Sequence, residues 1–244
     1  MALRLVQVNV KARDDSALGV FWADALGWVN SSEGLGVTNV EPPNVALPHP
    51  TAVGVDVVTV SHPERMRYRA HLDLATTSPE HQAEVVAHLT ARGATSADIG
   101  QGDVPWTVLA DPAGNVFCVL EPRPIYQDTG PIAAVVVSCA DPRAMARFWN
   151  EALDWTLHEV TDDLARLRSA AGVGPYLEFV RVPHITVFTR VHLDLRPYRG
   201  DDQAAEVARL RRLGAADANI GQGDVPWVVL TDPEGNEFCV LTPG

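Results

Sequence analysis

Two histidines in the sequence are each followed, two residues later, by an aspartate. His71 precedes Asp73, and His192 precedes Asp194. Side chains at positions i and i+2 of a strand point to the same face, so each pair is expected to share one face of a sheet. A carboxylate beside an imidazole fixes its tautomer, which suits proton transfer or a hydrogen bond to a ligand. The alternative interpretation is a histidine that is satisfied inside the fold and has no chemical role.

Thiols are the second group that could do chemistry. Cys118 and Cys239 each stand between Phe and Val in an apolar run, where a cysteine usually packs as a small hydrophobe. A catalytic thiol needs a nearby base, and only His71 could serve Cys118 in that role. The third cysteine, Cys139, is predicted to be packing. Three thiols without CxxC spacing indicate reduced cysteines and a cytoplasmic protein.

Tryptophans at the start of two predicted strands are candidate ligand contacts. The string IGQGDVPW of residues 99–106 recurs unchanged at 220–227, and it ends in Trp106 and Trp227. An indole stacks well on a flat ligand, but a tryptophan at a strand start is also common in cores, and both interpretations stay open. The DPxGN strings that begin at Asp111 and Asp232 are predicted to be turns.

These strings belong to an internal repeat that covers most of the chain. HLDL at 71–74 recurs at 192–195, and FCVL at 117–120 recurs at 238–241. The sequence therefore predicts two homologous halves, residues 1–122 and 132–244, joined by a proline-rich linker at 123–131. The first half carries about six extra residues between its first helix and His71, so the two sites are expected to differ.

Periodicity within each half alternates between strand and helix. Residues 3–10 alternate as a strand, and a helical stripe follows at i, i+3, i+4, i+7 and i+8, with Trp22 and Trp149 on it as core. A second strand–helix–hairpin unit follows, with a strand at 67–74 and a helix at 78–92. The predicted fold is α+β, with four βαβββ modules. Their helices cover one face of each sheet and leave the other face for a groove.

Charge and hydropathy exclude several classes of protein. The net charge of −12 and the lack of a basic stripe argue against nucleic acid as a partner. No apolar run approaches ~18 residues, and the N-terminus lacks the pattern of a signal peptide, so no membrane role is expected. The expected protein is a monomer with two pseudo-symmetric domains, or a homodimer.

The order of these strings resembles the vicinal oxygen chelate superfamily, in particular its glyoxalase-like branch. A DDSALGVFWADALGW helix, a strand with HLDL and a DPxGN turn before the last strand occur in that order, and their counterparts follow in the second half. The superfamily includes glyoxalases, bleomycin-resistance proteins, fosfomycin-resistance enzymes and extradiol dioxygenases. The resemblance implies tandem domains, each a pair of βαβββ modules that form a cup-shaped sheet.

The same resemblance implies where a catalytic metal would bind. Its ligand positions fall on the first, fifth and eighth strands, which here carry Gln7 or Ala134, His71 or His192, and Cys118 or Cys239 (the last in place of the usual Glu). Alanine coordinates nothing, and hard cations prefer carboxylate and imidazole ligands. No metal or other cofactor is therefore expected, although zinc on a thiolate remains open.

Two functions follow as hypotheses. The first is a protein that binds a small hydrophobic or aromatic metabolite or drug in one or both cups. The alternative is a lyase, isomerase or dioxygenase that is either metal-dependent or uses His71 and Asp73 as acid and base. The working cup, by which we mean the cup that binds the ligand, is expected to be that of the first half, with Trp106 at its rim. His192, Asp194 and Trp227 are expected to lie in the cup of the second half. The side chains expected to line the working cup are Gln7, Asn9, His71, Asp73 and Cys118.

Overall fold

Four βαβββ modules follow one another along the chain, as predicted. The computed structural model describes residues 2–63, 69–183 and 190–244, so the start of the strand predicted at 67–74 lies partly outside the described residues. The modules are β1 (Arg4–Ala12), α1 (Asp15–Leu26), β2 (Val29–Gly34), β3 (Val37–Glu41) and β4 (Gly54–Thr59); β5 (Ala70–Leu74), α2 (Pro79–Ala91), β6 (Thr95–Ser96), β7 (Thr107–Ala110) and β8 (Val116–Val119); β9 (Ile132–Cys139), α3 (Pro142–Ala152), β10 (Trp155–Val160), β11 (Leu164–Ser169) and β12 (Tyr176–Arg181); and β13 (Val191–Arg196), α4 (Gln203–Leu213), β14 (Ala216–Asp217), β15 (Val228–Thr231) and β16 (Glu237–Val240). Among the described residues, none of the helices is both long and apolar enough to cross a membrane.

The sixteen strands form two eight-stranded sheets. One runs in the order β14-β15-β16-β13-β1-β4-β3-β2, and the other in the order β10-β11-β12-β9-β5-β8-β7-β6. Each sheet therefore joins two modules, but the partners come from different halves of the sequence. The first module pairs with the fourth, and the second pairs with the third. The expected grouping of Gln7 and Asn9 with His71, Asp73 and Cys118 in one cup is therefore wrong.

In each sheet the two modules meet where the first strand of one module pairs antiparallel with the first strand of the other, and we call this pair the seam. In the β1–β13 pair, Gln7 lies opposite Asp194 and Asn9 lies opposite His192. In the β5–β9 pair, the partner of His71 is Val136. The two seams are equivalent in topology, but they bring together different side chains.

Each sheet buries one of its two faces, and the two buried faces form one continuous hydrophobic core. Trp22 of α1 packs against Phe117 of β8 at 5.1 Å between ring centroids, and Trp149 of α3 packs against Phe238 of β16 at 5.3 Å. The two tryptophans are 1% and 0% exposed, which confirms that they belong to the core. Helices that belong to one sheet therefore contact a strand of the other.

The DPxGN strings are turns, as predicted, and the aspartate and asparagine of each are buried. Asp232 accepts hydrogen bonds from the backbone of Glu234 and Asn236, from the Asn236 amide and from Trp149 Nε1. Asp111 makes the equivalent bonds, including one from Trp22 Nε1 at 3.1 Å. Each turn therefore connects a module's last strand to a helix of the preceding module.

Asp232→Ala should lower the free energy of unfolding by about 2–4 kcal/mol, because it leaves several buried donors without an acceptor. The matched control is Asp217→Ala, whose side chain is 67% exposed beside Arg211. That change should cost at most about 1 kcal/mol. Urea unfolding measures both, and equal effects would contradict the structural role of the turn.

Residues 1–131 and 132–244, produced as two chains with a tag on one, should copurify as a one-to-one complex. Each fragment alone leaves the first strand of both its modules without its antiparallel partner. Affinity capture followed by sizing measures the association. Two fragments that are separately folded monomers and do not bind each other would contradict the observed strand pairing.

Candidate functional site

The sheet that joins the first and fourth modules carries a cavity of about 1290 Å³ on its outward face. We call this face the first cup, and the corresponding face of the other sheet the second cup. Side chains from five strands supply the polar floor of the first cup. These are Gln7, Asn9 and Lys11 on β1, Asn39 on β3, Asp56 on β4, His192 and Asp194 on β13, and Glu237 and Cys239 on β16.

Gln7 links the two halves of this floor. Its amide nitrogen donates to Asp194 Oδ2 at 3.0 Å, and it also donates to the Asp56 carboxylate. Asp56 and Asp194 are only 5% and 3% exposed. One carboxamide from the first half therefore bridges two buried carboxylates, one from each half.

His192, Asp194 and Cys239 form a compact cluster beside this bridge. His192 Nε2 lies 3.3 Å from Asp194 Oδ1 and 3.5 Å from Cys239 Sγ. Burial, reinforced by the Asp194 carboxylate, raises the pKa of the Cys239 thiol, so the thiol keeps its proton. A nucleophilic cysteine needs a lowered pKa, and this environment does the opposite.

Several polar atoms of the floor have no hydrogen-bond partner within the described residues. They are Asn9 Oδ1, Asn39 Oδ1, Asp194 Oδ1, His192 Nδ1 and Glu237 Oε2. Buried polar atoms in folded proteins are nearly always paired, so such a group in a cavity marks a place for a ligand. Four of the five are acceptors, which favours a ligand with hydrogen-bond donors.

The upper wall of the first cup is mostly apolar. Val37, Val58 and Leu47 line one side, and the loop 219–227 lines the other. Trp227 stands at the opening, 37% exposed. In the same loop, Gln222 accepts a hydrogen bond from the Ile220 backbone, so its carbonyl oxygen supports the loop itself.

The second cup contains the remaining predicted site residues. His71 Nε2 lies 3.3 Å from Asp73 Oδ1, and their ligating atoms cluster with that of Cys118, as in the first cup. The two cups differ in the first strand of the module that pairs with the histidine's own strand. In the second cup this strand is β9, which carries Ala134 and Val136 at the positions where β1 of the first cup carries Gln7 and Asn9. The second cup therefore has the same histidine–aspartate pair but no polar side chain at the positions of Gln7 and Asn9.

The linker occupies the second cup. Its short 3-10 helix, Pro124–Tyr126, inserts Tyr126, whose hydroxyl donates to Glu178 Oε1 at 3.1 Å. The ring of Tyr126 meets that of Tyr176 at 6.0 Å, and the Arg123 guanidinium lies 5.3 Å from the centre of the Trp106 ring. Trp106 is therefore covered by an arginine, whereas Trp227 faces an open cavity.

Several residues in the two cups were missed by the sequence analysis. Lys11 continues the alternation of Gln7 and Asn9 along β1, and that pattern could have identified it. Asp56 interrupts an apolar run, which is a weaker signal. Tyr126 lies in a segment whose composition indicated only a connector.

The residues do not fit the metal that the superfamily resemblance implies. The donor atoms of His192, Asp194 and Cys239 all lie within 4.8 Å of one another, which is close enough to hold an ion. However, the Gln7 amide nitrogen points at the carboxylates and cannot coordinate an ion. His192 Nδ1 also lacks the second hydrogen bond that usually orients a metal-binding imidazole. In the second cup, the corresponding first-strand position is Ala134.

Comparison with known proteins identifies the fold. The family model described as "Glyoxalase-like domain" matches residues 7–120 and 134–241. Glyoxalase I from Zea mays is 15% identical with a TM-score of 0.65, over 99% of this chain and 92% of that one. A candidate dioxygenase from Bacillus subtilis is 11% identical with a TM-score of 0.65, over 99% and 85%. At this identity the solved structures support the fold alone.

Comparison with curated proteins gave no match. The family match nevertheless covers most of both halves, and the two eight-stranded sheets built from βαβββ modules agree with it. The chain therefore belongs to the glyoxalase-like family of the vicinal oxygen chelate superfamily, with two tandem copies of the domain.

Proposed function

We propose that the protein binds a small organic molecule in the first cup, without a divalent metal. The observation that carries this proposal is the cavity, whose buried floor exposes unpartnered hydrogen-bond acceptors beneath an apolar wall. Small-molecule sites commonly combine an apolar lining with a few convergent polar groups. The ligand is expected to place donors on the floor and a flat apolar part against Trp227.

A second candidate is metal-free acid–base chemistry at His192 and Asp194. This pair lines the cavity, with 3.3 Å between His192 Nε2 and Asp194 Oδ1. The pair first considered for this role, His71 and Asp73, shares its cup with the linker residue Tyr126. Two solved structures with the same fold are described as a glyoxalase and a candidate dioxygenase, so catalysis is worth testing. Recovery of a bound molecule in altered form would favour this candidate over simple binding.

Trp227→Phe should remove most of the fluorescence quenching caused by 4-nitrobenzyl alcohol, a flat alcohol that quenches indoles on contact. Trp106→Phe is the matched control and should leave the quenching unchanged, because Arg123 covers that ring. His192→Ala should weaken binding by about 1–3 kcal/mol if the imidazole makes a buried hydrogen bond to the alcohol. Loss of quenching in Trp106→Phe alone would place the ligand in the second cup and contradict the proposal.

Protein purified without chelators should contain no stoichiometric metal. The reason is the donor set, in which the Gln7 amide nitrogen faces the carboxylates and a thiol stands at the position where the superfamily resemblance implies a glutamate, whereas hard ions prefer carboxylate ligands. Elemental analysis measures the content. About one Mn, Fe, Ni or Zn per chain that is lost in His192→Ala but kept in His71→Ala would refute the metal-free proposal and assign the metal to the first cup.

A further inference from the structure

The chain contains a single lysine, Lys11, and this residue lies in the floor of the first cup. Every other basic side chain of the Lys/Arg type is an arginine, which cannot lose its proton at any ordinary pH. Lys11 is 5% exposed, although lysine is almost never fully buried unless it is paired. The equivalent position in the second cup is Ser138, so the amine is specific to the cup with the cavity.

The surroundings of Lys11 favour a reactive amine. Burial lowers its pKa, against the opposing effect of Glu237, Cys239 and Asp194. Its Nζ lies 3.8 Å from Glu237 Oε2, an oxygen that accepts no hydrogen bond within the described residues. An amine that can lose its proton beside a carboxylate that can take it is the arrangement required for attack on a carbonyl.

We propose that Lys11 is a nucleophile that forms a reversible imine with an aldehyde or unhindered ketone bound in the first cup. The inference rests on the proposed function, and it adds the chemical class of the ligand. Nζ of the neutral amine attacks the carbonyl carbon, and Glu237 carries one proton from the nitrogen to the carbonyl oxygen, which gives the carbinolamine. The hydroxyl then leaves with the second nitrogen proton as water, again by way of Glu237, and a carbon–nitrogen double bond remains.

An anionic ligand is less compatible with the same site. A carboxylate placed on Lys11 would also lie near Asp194 and Glu237, the two carboxylates that act on its charge, and like charges held close together in a buried site repel strongly. Lys11 already has an ion-pair partner in Glu237. A neutral carbonyl group avoids this repulsion and can approach the amine along the cavity.

The test uses three probes of the same shape: 4-nitrobenzaldehyde, 4-nitrobenzyl alcohol and 4-nitrobenzoate. The full-length protein is incubated with the aldehyde and cyanoborohydride at neutral pH, and peptide mass mapping locates the reduced adduct. The only other primary amine is the N-terminus, so the assignment is unambiguous. Lys11 should be modified faster than Nα-acetyl-lysine amide at the same pH, since a lowered pKa raises the unprotonated fraction of the amine.

Two controls link the adduct to the cup. Excess 4-nitrobenzyl alcohol should slow the modification of Lys11, and Lys11→Arg should abolish the adduct. Modification of Lys11 that the alcohol does not slow would place the reaction outside the cup and overturn the proposal. So would tighter binding of 4-nitrobenzoate than of the aldehyde, because Lys11 would then be an anion anchor.

The remaining outcomes separate this inference from the proposed function. If the alcohol quenches Trp227 but the aldehyde modifies only the N-terminus, the nucleophile is refuted and ligand binding stands. If neither the alcohol nor the aldehyde quenches Trp227 and Lys11 is not modified, both proposals fail for aromatic ligands of this kind.

Discussion

Two antiparallel strand pairs, β1 with β13 and β5 with β9, determine which side chains meet in each cup. In the first pair, Gln7 and Asn9 face the cavity while Val8 and Val10 are buried in the core. A slip of one residue would exchange these two sets, which would bury the polar groups in the core and expose the valines. The apolar core therefore fixes the register, and the register in turn fixes the site.

The polar floor is stable because its charges are arranged as a network. Asp56 and Asp194 are both buried, and burying an ionised carboxylate without a partner is costly. The Gln7 amide bridges them, and Lys11 supplies a positive charge near Asp194 and Glu237. Several acceptors of this floor have no hydrogen-bond partner within the described residues, and the proposed ligand would bond to them.

Local sequence patterns predicted most of the elements but not how the modules pair. Alternation and helical spacing depend on neighbouring residues, so the strands, the helices and the buried tryptophans could be predicted. Whether β1 pairs with β5 or with β13 depends on a contact between distant segments, and the two strands belong to modules that share the same HLDL string. The open cup could not be predicted either, because it depends on where the linker inserts Tyr126.

Because modules from different halves pair, each cup contains one module whose main strings are the same in both cups and one module whose residues differ between the cups. The second and fourth modules carry the identical strings HLDL and FCVL, and one of them stands in each cup. The first and third modules differ at the facing positions, with Gln7, Asn9 and Lys11 in one and small or apolar residues in the other. After the duplication, selection could therefore change one site through the first module alone, while the modules with the HLDL and FCVL strings stayed the same.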